Sequence, residues 1–209
     1  MPQPSAPGHI TELAELEALF DAVQPASRVK EVGEVHPAYA AMIAASPFVL
    51  LATVGSDGLD VSPRGDAPGF VRVIDPHTLH LPERRGNNRI DSLRNIVADP
   101  RVALLFLIPG VGETLRVNGR AELHRNADLL ARYAVSGNAP KCVLVIRVET
   151  VFFQCARAMQ RSGLWERAAD GRPVGVPTTG AILAALSGGA LGGEGYDRTL
   201  AERQRATLY

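Results

Sequence analysis

Residues 48–66 read FVLLATVGSDGLDVSPRGD. The opening run, Phe48 to Val54, is continuously apolar and rich in strand formers. Gly55-Ser56-Asp57-Gly58 is a turn signal, and Leu59 to Ser62 resumes as a strand, so the stretch reads as a β-hairpin. Pro63 cannot donate a ladder hydrogen bond. It predicts an edge strand or an interruption, with backbone groups left free for a ligand.

Downstream, Phe70 to Ile74 and Thr78 to Leu81 form another strand pair around Asp75-Pro76-His77. Helical spacing returns over Asn88 to Ala98, where Ile90, Leu93 and Val97 share a face and Asp99-Pro100 makes a stop. Arg101 to Ile108 is an apolar strand turned by Pro109-Gly110. Thr114 to His124 is a long strand whose Gly119 marks a bulge or a bend. A capped helix follows over Asn126 to Val135, then a strand over Lys141 to Thr150 that extends through Val151 to Cys155.

Upstream, Ile10 to Phe20 reads as a helix capped by Thr11, with Leu13, Leu16, Leu19 and Phe20 on one face. Pro37 to Ala45 is a second short helix, closed by Pro47. Beyond Trp165 the order weakens. Gly171 to Thr179 and Ser187 to Gly195 have linker composition, with short helices over Ile182 to Leu186 and Thr199 to Ala206. Six or seven strands in mostly antiparallel order, without regular strand–helix alternation, exclude a doubly wound parallel sheet. A small antiparallel barrel with peripheral helices fits best.

Among 209 residues, 22 Lys and Arg balance 22 Asp and Glu, which argues against a dedicated nucleic-acid binder. Lysine occurs only at Lys30 and Lys141, so the basic side chains are almost all arginine, whose planar fork suits phosphate and carboxylate. Cys142 and Cys155 form no CxxC pair and no metal-ligand spacing. They fit a reduced, cytoplasmic protein, and Cys142 reads as a buried structural thiol. The Pro-rich start from Met1 to Gly8 has no signal-peptide pattern, and no stretch of 18 uncharged apolar residues predicts a membrane span.

The richest chemistry lies in Glu83-Arg84-Arg85-Gly86-Asn87-Asn88-Arg89, between a strand and a helix start. Helix N-termini present unpaired N–H groups that suit an anion, and Arg84, Arg85 and Arg89 add charge while Asn87 and Asn88 add donors and a cap. A solvated basic loop capping a helix is the bland alternative. Arg64, at the end of the hairpin, is placed to reach the same anion or a polar ring edge. Pro109 to Gly119 carries no GK[ST] and is not a phosphate-binding P-loop. The five histidines show no metal spacing. Two roles stay open for Trp165, core packing and the wall of a pocket for a planar ring.

Four segments, FVLLATVGSDGLDVSPRGD, LHLPERRGNNRIDSLRNI, VALLFLIPGVGETLRVNGRAEL and CARAMQRSGLW, span Pro47 to Trp165. In this order they resemble the pyridoxamine 5'-phosphate oxidase-like FMN-binding split-barrel family, and within it a subgroup of FMN-dependent proteins of unsettled substrate. The resemblance implies a mainly β, Greek-key-like antiparallel split barrel that works as a homodimer, with FMN at the shared interface. It places the FMN phosphate on Arg85, Asn87, Asn88 and Arg89, and Arg89→Ala is expected to lower FMN affinity sharply. It lays the flavin ring against Ser62, Pro63 and Arg64 and against Leu81 and Pro82. It adds Thr114 from the long strand, and Arg161 and Trp165 from the partner subunit. The domain division is residues 1–46 as a helical segment packed on the barrel, 47–169 as the barrel and 170–209 as a Gly/Pro-rich extension.

The function expected is an FMN-dependent oxidoreductase acting on an unidentified small molecule, with a nicotinamide donor as one option. No catalytic residue, metal, nucleic acid or membrane is assigned. The alternatives are a non-catalytic flavin carrier or sensor, a degenerate structural dimer, and a member of the same fold that takes heme or a deazaflavin. For heme, His80 is the nearest candidate axial ligand.

Overall fold

In the computed structural model, which describes residues 8–209, the hairpin of residues 48–66 lies at one edge of a seven-stranded antiparallel sheet. The strands are β1 Phe48–Gly55, β2 Gly58–Gly65, β3 Arg72–Asp75, β4 Thr78–Pro82, β5 Arg101–Leu107, β6 Thr114–His124 and β7 Val143–Gln154. Their order is β2-β1-β5-β6-β7-β4-β3, every pair antiparallel. The sheet stays open between β2 and β3, as a split barrel requires, and helices lie around it. Strand β2 runs through Pro63, which pairs with Leu50, because an edge strand has no second neighbour to need the missing N–H.

Alternation along each strand builds the core. Val49, Leu51 and Thr53 of β1 point inward with Val102, Leu104 and Phe106 of β5, and all are buried. Each fully buried Leu or Phe contributes roughly 1.5–3 kcal/mol. Strand β7 changes phase: Leu144, Ile146 and Val148 face the core, then Val151 does. The cause is a β-bulge, since Val148 and Thr150 face the consecutive residues Gly119 and Asn118, leaving Glu149 unmatched in the β6–β7 register. A Cβ on Gly119 would sit 2.1 Å from the Arg147 carbonyl oxygen, so only glycine lets the two strands close there.

The chain divides into two units, one ending at Glu31 and one running from Val32 to Tyr209. The Pro-rich Met1 to Pro7, where no signal-peptide pattern is seen, lies outside the described residues. In the first unit the predicted 10–20 helix shrinks to α1 Leu13–Glu17, followed by α2 Pro25–Val29. Thr11 is not its cap. Glu12 precedes the helix without a side-chain bond, and Leu13, Leu16, Leu19 and Phe20 are all exposed. A helix with neither a cap nor a buried face has little to lengthen it.

The second unit adds α3 Pro37–Ala45, α4 Asp91–Ala98, α5 Ala127–Ala131, α6 Arg157–Ser162, α7 Leu164–Arg167, α8 Thr179–Leu186 and α9 Gly193–Ala206. Helix α3 has the predicted bounds. Helix α4 starts three residues later than predicted and keeps only Leu93 of the expected face against the core. Ser92 and Ile96 are buried, whereas Val97 is 76% exposed and Ile90 43%. It packs on β1, where Asn95 Nδ2 donates to Thr53 Oγ1 at 3.0 Å above Gly55. Helix α5 keeps its Asn126 cap but ends at Ala131, because Ser136 and Gly137, both at positive φ, turn the chain into a Val135–Asn138 bridge.

The Gly-rich stretch read as a linker is a tight helical hairpin. A Cβ on Gly180 would meet the Gly193 carbonyl at 2.4 Å, and Asp197 of α9 accepts from Gly180 N at 2.7 Å and Thr178 Oγ1 at 2.6 Å. Glycine here permits close approach of α8 and α9 rather than looseness.

Candidate functional site

Period-two alternation puts Asp60, Ser62 and Arg64 on one face of β2, each half-buried, while Leu59, Val61 and Pro63 face outward. Helix α4 lays Ser92 against that inner face. Arg64 Nη1 donates to Ser62 Oγ at 2.9 Å, and Ser92 Oγ donates to Asp60 Oδ2 at 2.9 Å. With the Ser92 hydrogen committed to the carboxylate, Ser62 donates to Ser92 across 2.8 Å. The chain of hydroxyls thus has one direction, from guanidinium to carboxylate. Arg64 Nε also pairs with Glu83 Oε2 at 2.9 Å, the two side chains being 15% and 20% exposed. A half-buried charge needs such a partner.

The 83–90 loop closes a cavity of about 490 Å³ over this floor. Ser62, Pro63, Arg64, Pro82, Arg85 and Asn87 line it, and Asn88 and Arg89 complete the residues expected there. The loop is not a helix cap. Asn88 sits at φ 61, outside the helical region, and Asn87 Oδ1 accepts from the Arg89 N–H at 2.9 Å. Helix α4 begins only at Asp91, after Ile90, which offers no capping side chain. Arg89 is 80% exposed and bonds Asp91. Lys141 Nζ donates to Asn88 Oδ1 at 3.2 Å from across the cavity.

Five cations line the cavity, and three are spent. Arg64 holds Glu83, Arg89 holds Asp91, and Arg84 Nε holds Asp66 Oδ2 at 2.6 Å. Arg85 and Lys141 make no ion pair among the described residues, so the free positive charge concentrates at the 85–88 end. Arg84 Nη1 also donates to the Tyr133 carbonyl at 2.5 Å, and its guanidinium lies 5.8 Å from the Tyr209 ring centroid. Tyr209 Oη donates to Asp66 Oδ1 at 2.6 Å. Burial pushes the Asp66 carboxyl up, but hydrogen bonds from Tyr209 and the Ala67 N–H, together with Arg84, outweigh it and hold it below the ordinary value. A second cavity of about 330 Å³ shares Arg84, Arg85, Asn88 and Lys141 with the first and is closed by Asn138 and Tyr209.

Four expected residues line neither cavity of this chain. The Leu81 side chain is fully buried in the core, opposite Leu144, so it offers only backbone. The β3–β4 register ends at Arg72 and His80, so Leu81 and Pro82 run on beside no β3 residue. Thr114 is half-buried at the start of β6, opposite Gln154. Arg161 is exposed on α6. Trp165 is half-buried, and its Nε1 donates to the Val111 carbonyl at 2.8 Å.

His80 lines neither cavity either. It meets Tyr133 Oη at 2.8 Å, and burial, His124 and Arg132 hold its pKa below the usual histidine value. Cys142 is half-buried rather than buried, its thiol pushed up by burial and by Glu83. No group of residues suited to a metal ion occurs among the described residues, and no described helix is long and apolar enough to cross a membrane.

Asp60, Ser92, Lys141 and Tyr209 were not singled out from sequence, and Glu83 was named only as the start of the arginine-rich segment. The alternation Asp60, Ser62, Arg64 was a usable signal for the first. Nothing local marks Lys141 or Tyr209, which reach the site from 53 and 143 residues away from their partners.

The family model described as pyridoxamine 5'-phosphate oxidase matches residues 35–155. Among solved structures, the chain is similar to a putative pyridoxamine 5'-phosphate oxidase from Lactobacillus delbrueckii, with 25% identity and a TM-score of 0.43 over 58% of this chain and 99% of that one. It is similar to HupZ of Group A Streptococcus, with 21% identity and a TM-score of 0.47 over 58% and 94%. It is also similar to a protein from Mesorhizobium loti described as FAD-binding, with 20% identity and a TM-score of 0.39 over 54% and 87%. A search of curated proteins finds no match.

Proposed function

Because the chain belongs to the pyridoxamine 5'-phosphate oxidase family, we propose that its larger cavity holds FMN and that the protein is an FMN-dependent oxidoreductase acting on a small molecule. One observation carries this reading. The cavity has free cations at one end, Arg85 and Lys141, and neutral hydroxyls anchored by a guanidinium at the other, Ser62 with Arg64. That division matches a ligand with a phosphate at one end and a polar, uncharged ring at the other. The volume of about 490 Å³ lies within the usual size of small-molecule sites, roughly 300–1,000 Å³.

FMN, when bound, supplies reversible two-electron redox chemistry, and the protein supplies position and electrostatics. Arg85, Asn88 and Lys141 hold the phosphate, and Arg89 joins them as it turns from Asp91. Asn87 keeps the loop in shape through its bond to the Arg89 N–H. Ser62 and Arg64 face the polar edge of the ring, with Glu83 and the Ser92–Asp60 pair holding them in place. Pro82 gives an apolar wall, and Pro63 contributes the edge of its strand. No acid–base dyad is required of the protein, because the redox step resides in the cofactor.

The working form is a homodimer in this reading. Edge strand β2 turns Leu59, 86% exposed, and Val61, 62% exposed, outward on the back of the cavity floor. A second copy covering that face would remove the apolar surface from water, and the family resemblance is what assigns Arg161 and Trp165 to the partner's cavity. The test is the visible spectrum of the purified protein, the mass of the released cofactor, and titration of the flavin-free protein with FMN. Flavin bands and an FMN mass support the reading. A colourless protein that takes up no added FMN refutes it.

A further inference from the structure

We propose that His80 and Tyr133 are positioning residues for the 83–90 loop, and that protonating His80 loosens the loop and releases the ligand held there. The proposal rests on the placement of FMN given above for the identity of that ligand. His80 and Tyr133 line neither cavity, yet their link to the loop is continuous. His80 Nδ1 meets Tyr133 Oη at 2.8 Å, and the Tyr133 carbonyl accepts from Arg84 Nη1 at 2.5 Å. Arg84 Nε is held from the other side by Asp66 Oδ2 at 2.6 Å. Arg84 stands between Glu83, which pins Arg64, and Arg85, which carries charge at the phosphate end. A displaced Tyr133 carbonyl therefore disturbs both ends of the larger cavity.

The proton matters because Tyr133 is 4% exposed. A buried phenol hydrogen needs an acceptor, and among the described residues His80 Nδ1 is the group that the phenol oxygen meets. Neutral His80 accepts that hydrogen. An imidazolium carries hydrogens on both nitrogens, so its Nδ1 can only donate and the phenol hydrogen is orphaned. The surroundings also resist the added charge. Arg72 of β3, opposite His80, lies 4.7 Å from the Tyr133 ring centroid. His124 of β6 and Arg132 at the end of α5 add positive charge, and Asp75 of β3 adds negative charge. On β7, Val145 faces His80 and Arg147 faces Thr78, while on β6 Glu122 faces Val145 and meets His124 at 3.2 Å. Burial, His124 and Arg132 hold the His80 pKa below the ordinary value against the opposing pull of Asp75. Release of Tyr133 relieves both the orphaned hydrogen and the crowded charge, and the Arg84 contact goes with it. By linkage, a ligand that fixes the loop lowers the His80 pKa further.

The experiment titrates wild type, His80→Gln and Tyr133→Phe with FMN from about pH 8 down to about pH 5, a range that spans histidine titration. A phosphate monoester itself takes up a proton at about pH 6, and that loss appears alike in all three proteins. Wild type should lose about fivefold more affinity across the range than either variant. Phenylalanine has no hydrogen to orphan, and glutamine carries no charge at any pH. In flavin-free protein, hydrogen exchange of residues 83–90, corrected for its intrinsic rate, should quicken at the acid end in wild type and not in the variants. The His80 ring signal in NMR should titrate at higher pH in Tyr133→Phe than in wild type, because the neutral imidazole has lost its donor. If FMN does not bind but loop exchange still follows His80, the flavin placement fails and the positioning role stands. Equal acid losses of affinity in the folded proteins, or loop exchange that ignores both substitutions, overturns the proposal. So does a His80 titration unchanged by Tyr133→Phe.

Discussion

Asp66 is the residue whose loss should be felt most. It is 4% exposed, and its two oxygens hold Arg84, itself 15% exposed, and Tyr209. Asp66→Ala leaves a guanidinium with little access to water and no counter-charge, a change that costs about 3–5 kcal/mol when complete. Asp66→Asn keeps an acceptor oxygen but no charge, and about 2 kcal/mol is expected. Tyr209→Phe removes one charge-assisted hydrogen bond, worth about 1.5 kcal/mol or more. Urea unfolding at pH 7 should rank the variants in that order, with unchanged slopes.

The pH dependence of the same pair has a defined sign. The Asp66 pKa is depressed below 3.8 in the folded chain, so the unfolded chain binds its proton first on acidification. Its contribution is fully present above the unfolded pKa and is lost as pH falls through the folded one. The gap between wild type and Asp66→Asn should therefore narrow as pH drops below about 4. An Asp66→Ala variant within 0.5 kcal/mol of wild type at pH 7, outside the roughly 3–5 kcal/mol range for a broken buried pair, would refute the reasoning. So would an Asp66→Asn gap that persists undiminished into acid.

Arg85→Ala and Lys141→Ala should each weaken FMN binding about tenfold or more by titration, and Arg89→Ala less, because that side chain is 80% exposed and engaged by Asp91. Gly119→Ala should lower stability by about 2 kcal/mol or more, seen as a lower Tm, because its Cβ would lie 2.1 Å from a backbone oxygen. The His80 pKa is lowered from 6.5, so the unfolded chain takes up the proton first and stability should fall as pH drops below that value. His80→Gln should flatten that part of the stability–pH curve.

Local chemistry made much of the fold legible. The apolar run from Phe48 and the turn at Gly55–Gly58 are decided by neighbours in sequence and appear as β1 and β2, whereas Gly119 marks a β6–β7 bulge whose need for glycine comes from the Arg147 carbonyl on the adjoining strand. Where a helix lacked a strong cap the bounds moved, as in α1, and the inward face of α4 joins Leu93 to buried Ser92 and Ile96 and to the Asn95–Thr53 hydrogen bond. The arginine-rich 83–89 segment was visible as a cluster of charge. Its electrostatics were not, because each arginine's effect depends on the carboxylate it meets.

The sequence by itself determined the strand-forming runs, the choice at Pro63 between an edge strand and an interruption, and a basic loop suited to an anion, since backbone propensity and residue type are local properties. Only the tertiary structure decided which charges are free. Glu83 neutralises Arg64, Asp66 neutralises Arg84, and Asp91 occupies Arg89, leaving Arg85 and Lys141 to define the attractive end of the cavity. It also decided that Tyr209 closes a second cavity 143 residues from its partner Asp66. Charge balance and cavity walls arise from side chains that meet only once the sheet and its helices have packed.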